Sequence, residues 1–198
     1  LKSVTFLGNT TTISEYAFYG CNNLSSIEIP ESLLSIGRYS FCKCSSLTSI
    51  ELPNIVNLID EHAFQESALC SFVIPEATNY ISAHLFDSCL NLSSVTFKGN
   101  EVSISYYVFY KCKNLTSIEI PKSVTSINYY SFSESGLFEI EIPEKVSSIS
   151  DNLFNRMNFF NFCRFDYFFF VKQILMNKNY DINIEIMDTI NNSSCIFT

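Results

Sequence analysis

The sequence predicts a β-rich repeat solenoid of seven turns, each 22–23 residues long, with short strands and little helix. Three observations predict it. Three residue types recur in phase: Phe18, Phe41, Phe64, Phe86, Phe109, Phe132 and Phe154; an Ile five residues before each (Ile13, Ile36, Ile59, Ile81, Ile104, Ile127, Ile149); and a Leu opening each copy (Leu1, Leu24, Leu47, Leu69, Leu92, Leu115, Leu137). All five prolines share one phase as well: Pro30, Pro53, Pro75, Pro121 and Pro143. Finally, no copy carries ten or more residues with the i, i+3, i+4 apolar spacing of a crossover helix.

Each copy opens with a run such as Leu24-Ser25-Ser26-Ile27-Glu28-Ile29-Pro30. Leu24, Ile27 and Ile29 form its inward set, and the outward alternation of Ser26 and Glu28 predicts a short strand. Proline has no amide to give to a ladder and ends that strand. The return path, lacking helical periodicity, must be short strand, turn or 3-10 structure. The two 22-residue copies lose their residue between Phe64 and Leu69 and between Phe132 and Leu137, where five steps replace six, so the deletion falls in a turn. A unit of 23 residues cannot enclose a core alone and must bury its apolar side chains against the units on either side. At about 4.8 Å per turn, seven turns make a rod on the order of 30 Å long.

Composition narrows the function classes. With 198 residues, 47% of them hydrophobic and 15% aromatic, the chain is built for burial. Twelve Lys and Arg against 20 Asp and Glu leave a net charge of -8 and no basic stripe, which excludes a nucleic-acid partner. No stretch of 18 apolar residues occurs, and the most aromatic segment, 159–171, is interrupted by Arg164 and Asp166. Leu1 opens inside a repeat, so any leader is expected to lie beyond this stretch, and any membrane association to run through segments not present here. There is no P-loop, no Gly-rich dinucleotide turn, no G-x-S-x-G and no CxxC pair, so neither an enzyme, a cofactor nor a small-molecule substrate is expected.

The unit L-x-x-I-x-I-P-x-x-V-x-x-I-x-x-x-A-F-x-x-C-x-x-L, nearly complete at Leu47–Leu69 and Leu115–Leu137, resembles the leucine-rich repeats of the BspA-like (Treponema-pallidum-type) class. The resemblance covers residues 1 to about 157. It implies a right-handed leucine-rich-repeat coil. It also implies a surface-exposed or secreted adhesin whose repeats bind host matrix proteins or other cells. Copies one and five depart from the pattern, with Leu7-Gly8-Asn9 and Lys98-Gly99-Asn100 where the others carry Pro, which predicts a local bulge.

In a solenoid, residues of equal phase stack, so function is sought in columns. The outward positions of the strand face give Ser26, Ser49, Ser117 and Glu139, and beside them Glu28, Glu51, Glu119 and Glu141. These eight are the candidate ligand-binding face. Like charges stacked in adjacent turns repel unless a basic partner neutralises them, which points to a basic protein ligand; the alternative is a solvated face copied along with the repeat. Two residues before each Phe, Tyr16, Tyr39, His62, His84, Tyr107, Tyr130 and Asn152 form an aromatic column. Its adjacent histidines, with Glu61 or Asp87 nearby, fall short of the three or four ligands of a zinc site, and ring packing explains the column without a metal.

Four of the eight cysteines (Cys21, Cys44, Cys89, Cys112) stand three residues after Phe, with Ser67 and Ser135 in that place in the short copies. Parallel stacking points their Cβ atoms the same way, which favours a ladder of buried thiols, while Cys21–Cys44 and Cys89–Cys112 bridges stay open for a secreted protein. The Asn-Leu-Ser and Asn-Leu-Thr sequons at Asn23, Asn91 and Asn114 are a phrase of the repeat itself.

Residues 1–157 are therefore assigned to the solenoid and 158–198 to a separate segment. Two readings of that segment remain: a capping strand and helix built on the aromatic run 159–170, or the start of another module, since Val171–Asn183 is similar to part of an ankyrin repeat. Two readings of function remain too: a recognition module of the cell surface, or an intracellular structural scaffold or spacer in the cytoplasm.

Overall fold

The computed structural model describes residues 1–154 except 3, 7, 100–102, 139 and 148–151. The expectations for residues 158–198, and for Glu139, lie outside the described residues. In chain order the strands are β1 (Thr12–Ile13), β2 (Ser35–Ile36), β3 (Leu58–Ile59), β4 (Ser71–Ile74), β5 (Tyr80–Ile81), β6 (Ser94–Phe97), β7 (Ser103–Ile104) and β8 (Ser126–Ile127), all paired in parallel. Pairing is in phase: Ile13 lies opposite Ile36, Ile36 opposite Ile59, Ile81 opposite Ile104 and Ile104 opposite Ile127. The described residues form a β-solenoid and contain no helix.

Among the described residues about five turns are built, rather than the seven expected. The two-residue ladder strand appears in six copies, which bound five intervals between neighbours, and in the seventh copy residues 148–151 fall outside the described set. A second difference concerns the predicted strand. Among the described residues only Ser71–Ile74 and Ser94–Phe97 pair as one, with Val73 opposite Thr96. These copies carry β-branched residues at the outward position where Glu28, Glu51, Glu119 and Glu141 stand elsewhere, so strand propensity and the absence of stacked like charges act together. The regular ladder instead occupies the Ile13 phase of the return path.

The core is the repeat read end to end. Phe41, Phe64, Phe86, Phe109 and Phe132 are fully buried, as are Leu24, Leu47, Leu69, Leu92 and Leu115. Neighbouring Phe rings stack at 5.1–5.7 Å between full-length copies. After each proline the chain turns at once: the amides of Leu33, Val56, Thr78, Val124 and Val146 donate to the carbonyls of Pro30, Pro53, Pro75, Pro121 and Pro143.

Around each Phe the backbone uses a device absent from the sequence pattern. The residue two before it is left-handed in every copy, from Tyr39 (φ 54) to Asn152 (φ 65), and so is the residue two after it: Gly20, Lys43, Glu66, Ser88, Lys111 and Glu134. Alternating left-handed residues aim every second amide at the next turn. Tyr39, Phe41 and Lys43 accordingly donate to Glu61, Ala63 and Gln65 at 3.2, 2.8 and 2.8 Å. A left-handed tyrosine costs roughly 1–2 kcal/mol, which hydrogen bonding and ring stacking must offset. Of the two Gly-Asn departures, Gly8 is left-handed (φ +80) with open space around it, while a Cβ on Gly99 would sit 3.0 Å from the Glu76 carbonyl oxygen. The first is a turn residue and the second marks close approach of neighbouring turns.

Candidate functional site

Two long surfaces run along the coil, and they treat charge in opposite ways. On the strand face Ser26, Glu28, Ser49, Glu51, Ser117, Glu119 and Glu141 are all exposed. The structure thus brings seven of the eight expected residues to one surface. Among the described residues, none of these four glutamates has an ion-pair partner. Between Glu51 and Glu119 the same column carries Val73, 44% exposed, and Thr96, so the acidic face has an uncharged waist. A concavity of about 280 Å³ opens beside this waist, lined by Val95, Thr96, Phe97, Lys98, Gly99, Glu119 and Pro121. Lys98 reaches across two turns there to Asn54 Oδ1 at 3.1 Å.

On the turn flank opposite charges meet. Arg38 pairs with Glu61 at 2.5 Å, Lys43 with Glu66 at 3.9 Å and Lys113 with Glu134 at 3.8 Å, and His84 Nδ1 hydrogen-bonds Asp87 Oδ2 at 2.9 Å. Column reading of the flank would have found two of these, because Arg38 and Glu61 share one phase, and Lys43 and Glu66 another. Between the ion pairs runs a stack of rings: Tyr16 on Tyr39 at 5.0 Å, Tyr39 on His62 at 4.4 Å, His62 on His84 at 4.5 Å, His84 on Tyr107 at 4.7 Å and Tyr107 on Tyr130 at 4.8 Å. The faces of these rings are used by one another.

The two imidazoles do not converge on a metal. Their planes lie within 13° of parallel, so their ring-nitrogen lone pairs run side by side instead of meeting at one point. Among the described residues, no three His, Cys, Asp or Glu side chains gather as a metal-holding group. The cysteine column is a set of hydrogen-bond donors. Cys44 Sγ donates to the carbonyl of Phe18 (3.1 Å), Cys89 Sγ to that of Phe64 (3.0 Å) and Cys112 Sγ to that of Phe86 (3.2 Å), each reaching the preceding turn. Burial pushes the thiols of Cys44 and Cys89 up to about 12, which keeps them protonated as donors and inert as nucleophiles. All six described cysteines are free.

This register of Leu, Ile, Pro and Phe is also what the comparison with protein families finds. The model of the BspA type leucine rich repeat region, in six copies, matches residues 1–116 and 102–191. The chain belongs to the BspA-type leucine-rich repeat family. Solved structures of similar shape include the T. pallidum leucine rich repeat protein, at 28% identity over 68% of this chain and 64% of that one, with a TM-score of 0.59. A leucine-rich repeat protein from Eubacterium ventriosum ATCC 27560 matches at 22% identity over 79% of this chain and 52% of its own, TM-score 0.56. A leucine rich cell surface protein from Faecalibacterium prausnitzii A2-165 matches at 24% identity over 79% and 58%, TM-score 0.49. The chain therefore spans 52–64% of the length of these relatives. No curated protein matches it. Repeats of this BspA-type family serve protein interaction and are generally non-catalytic. No helix among the described residues is long and apolar enough to cross a membrane.

Proposed function

We propose that this chain is part of a surface or secreted adhesin that holds a basic protein, such as a host matrix protein, against its strand face. Ser26, Glu28, Ser49, Glu51, Ser117, Glu119, Glu139 and Glu141 are the residues assigned to that contact. One observation carries the reading: the coil pairs its carboxylates with cations on the turn flank and leaves Glu28, Glu51, Glu119 and Glu141 exposed and unpaired on the strand face. Repeated carboxylates in register give many weak contacts, and binding gains strength by multiplying them. Family membership supports the protein-binding class, and what BspA-like repeats do elsewhere supports the adhesive role.

Such binding is ionic at exposed sites and is screened by salt. The test is surface plasmon resonance of the chain on basic host matrix proteins at about 50 and 300 mM salt, where affinity is expected to fall roughly tenfold or more. The quadruple variant Glu28→Gln, Glu51→Gln, Glu119→Gln, Glu141→Gln should abolish the salt dependence. Binding that ignores both salt and the four substitutions would remove the strand face from the reading.

A second reading, an intracellular scaffold, is favoured by the thiol ladder, since Cys44, Cys89 and Cys112 act as donors only while reduced. Counting free thiols in protein from its native source tests it, and bridged cysteines would exclude it.

A further inference from the structure

The one-residue deletion between Phe64 and Leu69 sits where the two-residue strand ladder stops, while backbone hydrogen bonds around Phe64 still join the turns. The ladder runs β1-β2-β3 on one side and β5-β7-β8 on the other, and these are separate sheets, so it stops between the third and fourth turns. The rings of Phe64 and Phe86 stand 6.1 Å apart, wider than their full-length neighbours. Phe72 fills that gap from the side, 5.1 Å from Phe64 and edge-on to Phe86 at 4.9 Å. Hydroxyls cross it: Thr78 Oγ1 donates to Val56 at 2.8 Å and Ser82 Oγ to Ile59 at 2.5 Å.

His62 and His84 stack at this same joint. Beneath them runs a chain of hydrogen bonds. His62 Nδ1 meets Gln65 Oε1 at 2.8 Å, Gln65 Nε2 donates to Asp87 Oδ2 at 3.1 Å, and that same oxygen meets His84 Nδ1 at 2.9 Å. Ser88 Oγ donates to Asp87 Oδ1 at 2.7 Å. Because Gln65 gives its amide hydrogen to Asp87, its carbonyl oxygen faces His62, and each imidazole offers an Nδ1–H to an oxygen. A single buried carboxylate bonds His84 directly and reaches His62 only through Gln65.

The other charged and titratable groups around the pair offer little help to a second charge. Arg38 and Glu61, beside His62, are paired with each other, as are Lys43 and Glu66 further out. Tyr39 stacks on His62, and Arg38 already lies over the Tyr39 ring at 5.5 Å. Tyr107 stacks on His84, and Tyr106 stands edge-on to it at 6.4 Å.

We propose that His62 and His84 form an acid-operated joint: the network clamps turns three and four together while at most one ring is charged, and releases them when both are. Two parallel imidazolium rings 4.5 Å apart repel, and Asp87 can neutralise only one. Burial already holds His62 below the ordinary imidazole value of 6.5. A group depressed in the folded state contributes stability above its unfolded value, and that contribution is lost as pH falls below 6.5 through the folded value. In the turns on either side the ladder carries Tyr, which does not titrate in this range.

Hydrogen exchange of the full chain between pH 7.5 and 5, corrected for intrinsic rates, reads the joint directly. The amides of His62, Phe64 and Glu66 bond across it to Ala83, Leu85 and Asp87, and those of Phe109 and Lys111 make the same bonds to Ser131 and Ser133 elsewhere. On acidification the first group should lose protection by about tenfold or more while the second does not. His62→Tyr, which places in this turn the residue its neighbours carry, should abolish the loss. An unchanged joint, an equal loss in both groups, or a loss retained in His62→Tyr each overturns the proposal. In the wild-type chain, NMR titration of the two imidazoles gives a check that needs no variant. Loss of protection must follow the second imidazole step, and tracking the first step instead would refute the joint.

Discussion

On the turn flank, Arg38 sits over Glu61 and Lys43 over Glu66, while rings stack at 4.4–5.0 Å from Tyr16 to Tyr130. On the strand face, made by the same copies of the same repeat, glutamate follows glutamate with no cation between them, as at Glu28 and Glu51. The difference shows which surface the coil uses to hold itself together. Flank side chains touch across turns and add to the nearest-neighbour terms that stabilise a solenoid. Face side chains of like charge contribute nothing to that sum and even oppose it slightly.

Breaking the contrast most severely means cutting the core that the flank encloses. Phe109→Ala, at a fully buried ring stacked between Phe86 and Phe132, should cost about 3–5 kcal/mol in urea unfolding. A loss no larger than that of a surface substitution would mean that the turns do not rely on the Phe column.

A sharper probe is Tyr107, left-handed at φ 58 and stacked on His84 and Tyr130. Tyr107→Ala should cost about 1–3 kcal/mol through three lost ring contacts, with His84, Tyr110 and Tyr130. Tyr107→Gly should cost about 1 kcal/mol less, because glycine takes the left-handed backbone without a Cβ penalty. Urea denaturation of the two variants decides it, and a glycine variant weaker than the alanine one would refute the account of strain.

The smallest effect belongs to the face. Glu28→Gln with Glu51→Gln should leave stability unchanged or raise it by a few tenths of a kcal/mol in the same assay, since it relieves stacked like charges. A clear loss of stability would show that these carboxylates have a structural partner.

Much of this architecture was legible in the columns of Phe, Leu, Ile and Pro, because in-phase stacking turns a period in the chain into a contact in space. The cysteine column was readable for the same reason, with Ser67 and Ser135 showing that the site tolerates a hydroxyl. The left-handed residues were not legible. Tyrosine at positive φ runs against intrinsic preference, and only hydrogen bonds to the next turn make it worth adopting, as when the Tyr39 amide meets Glu61. Nor did strand propensity say that, among the described residues, Ser71–Ile74 and Ser94–Phe97 alone would pair on the strand face.

The deletion after Phe64 shows the same division. Counting residues placed it in a turn. That the ladder breaks there, that Phe72 packs against both Phe64 and Phe86, and that Gln65 and Asp87 link the two histidines emerged only in three dimensions. A period fixes which residues are neighbours along the coil, because each turn repeats the one before. Where the period slips, several nearby groups compete to fill the gap, and packing and hydrogen bonding between turns choose among them.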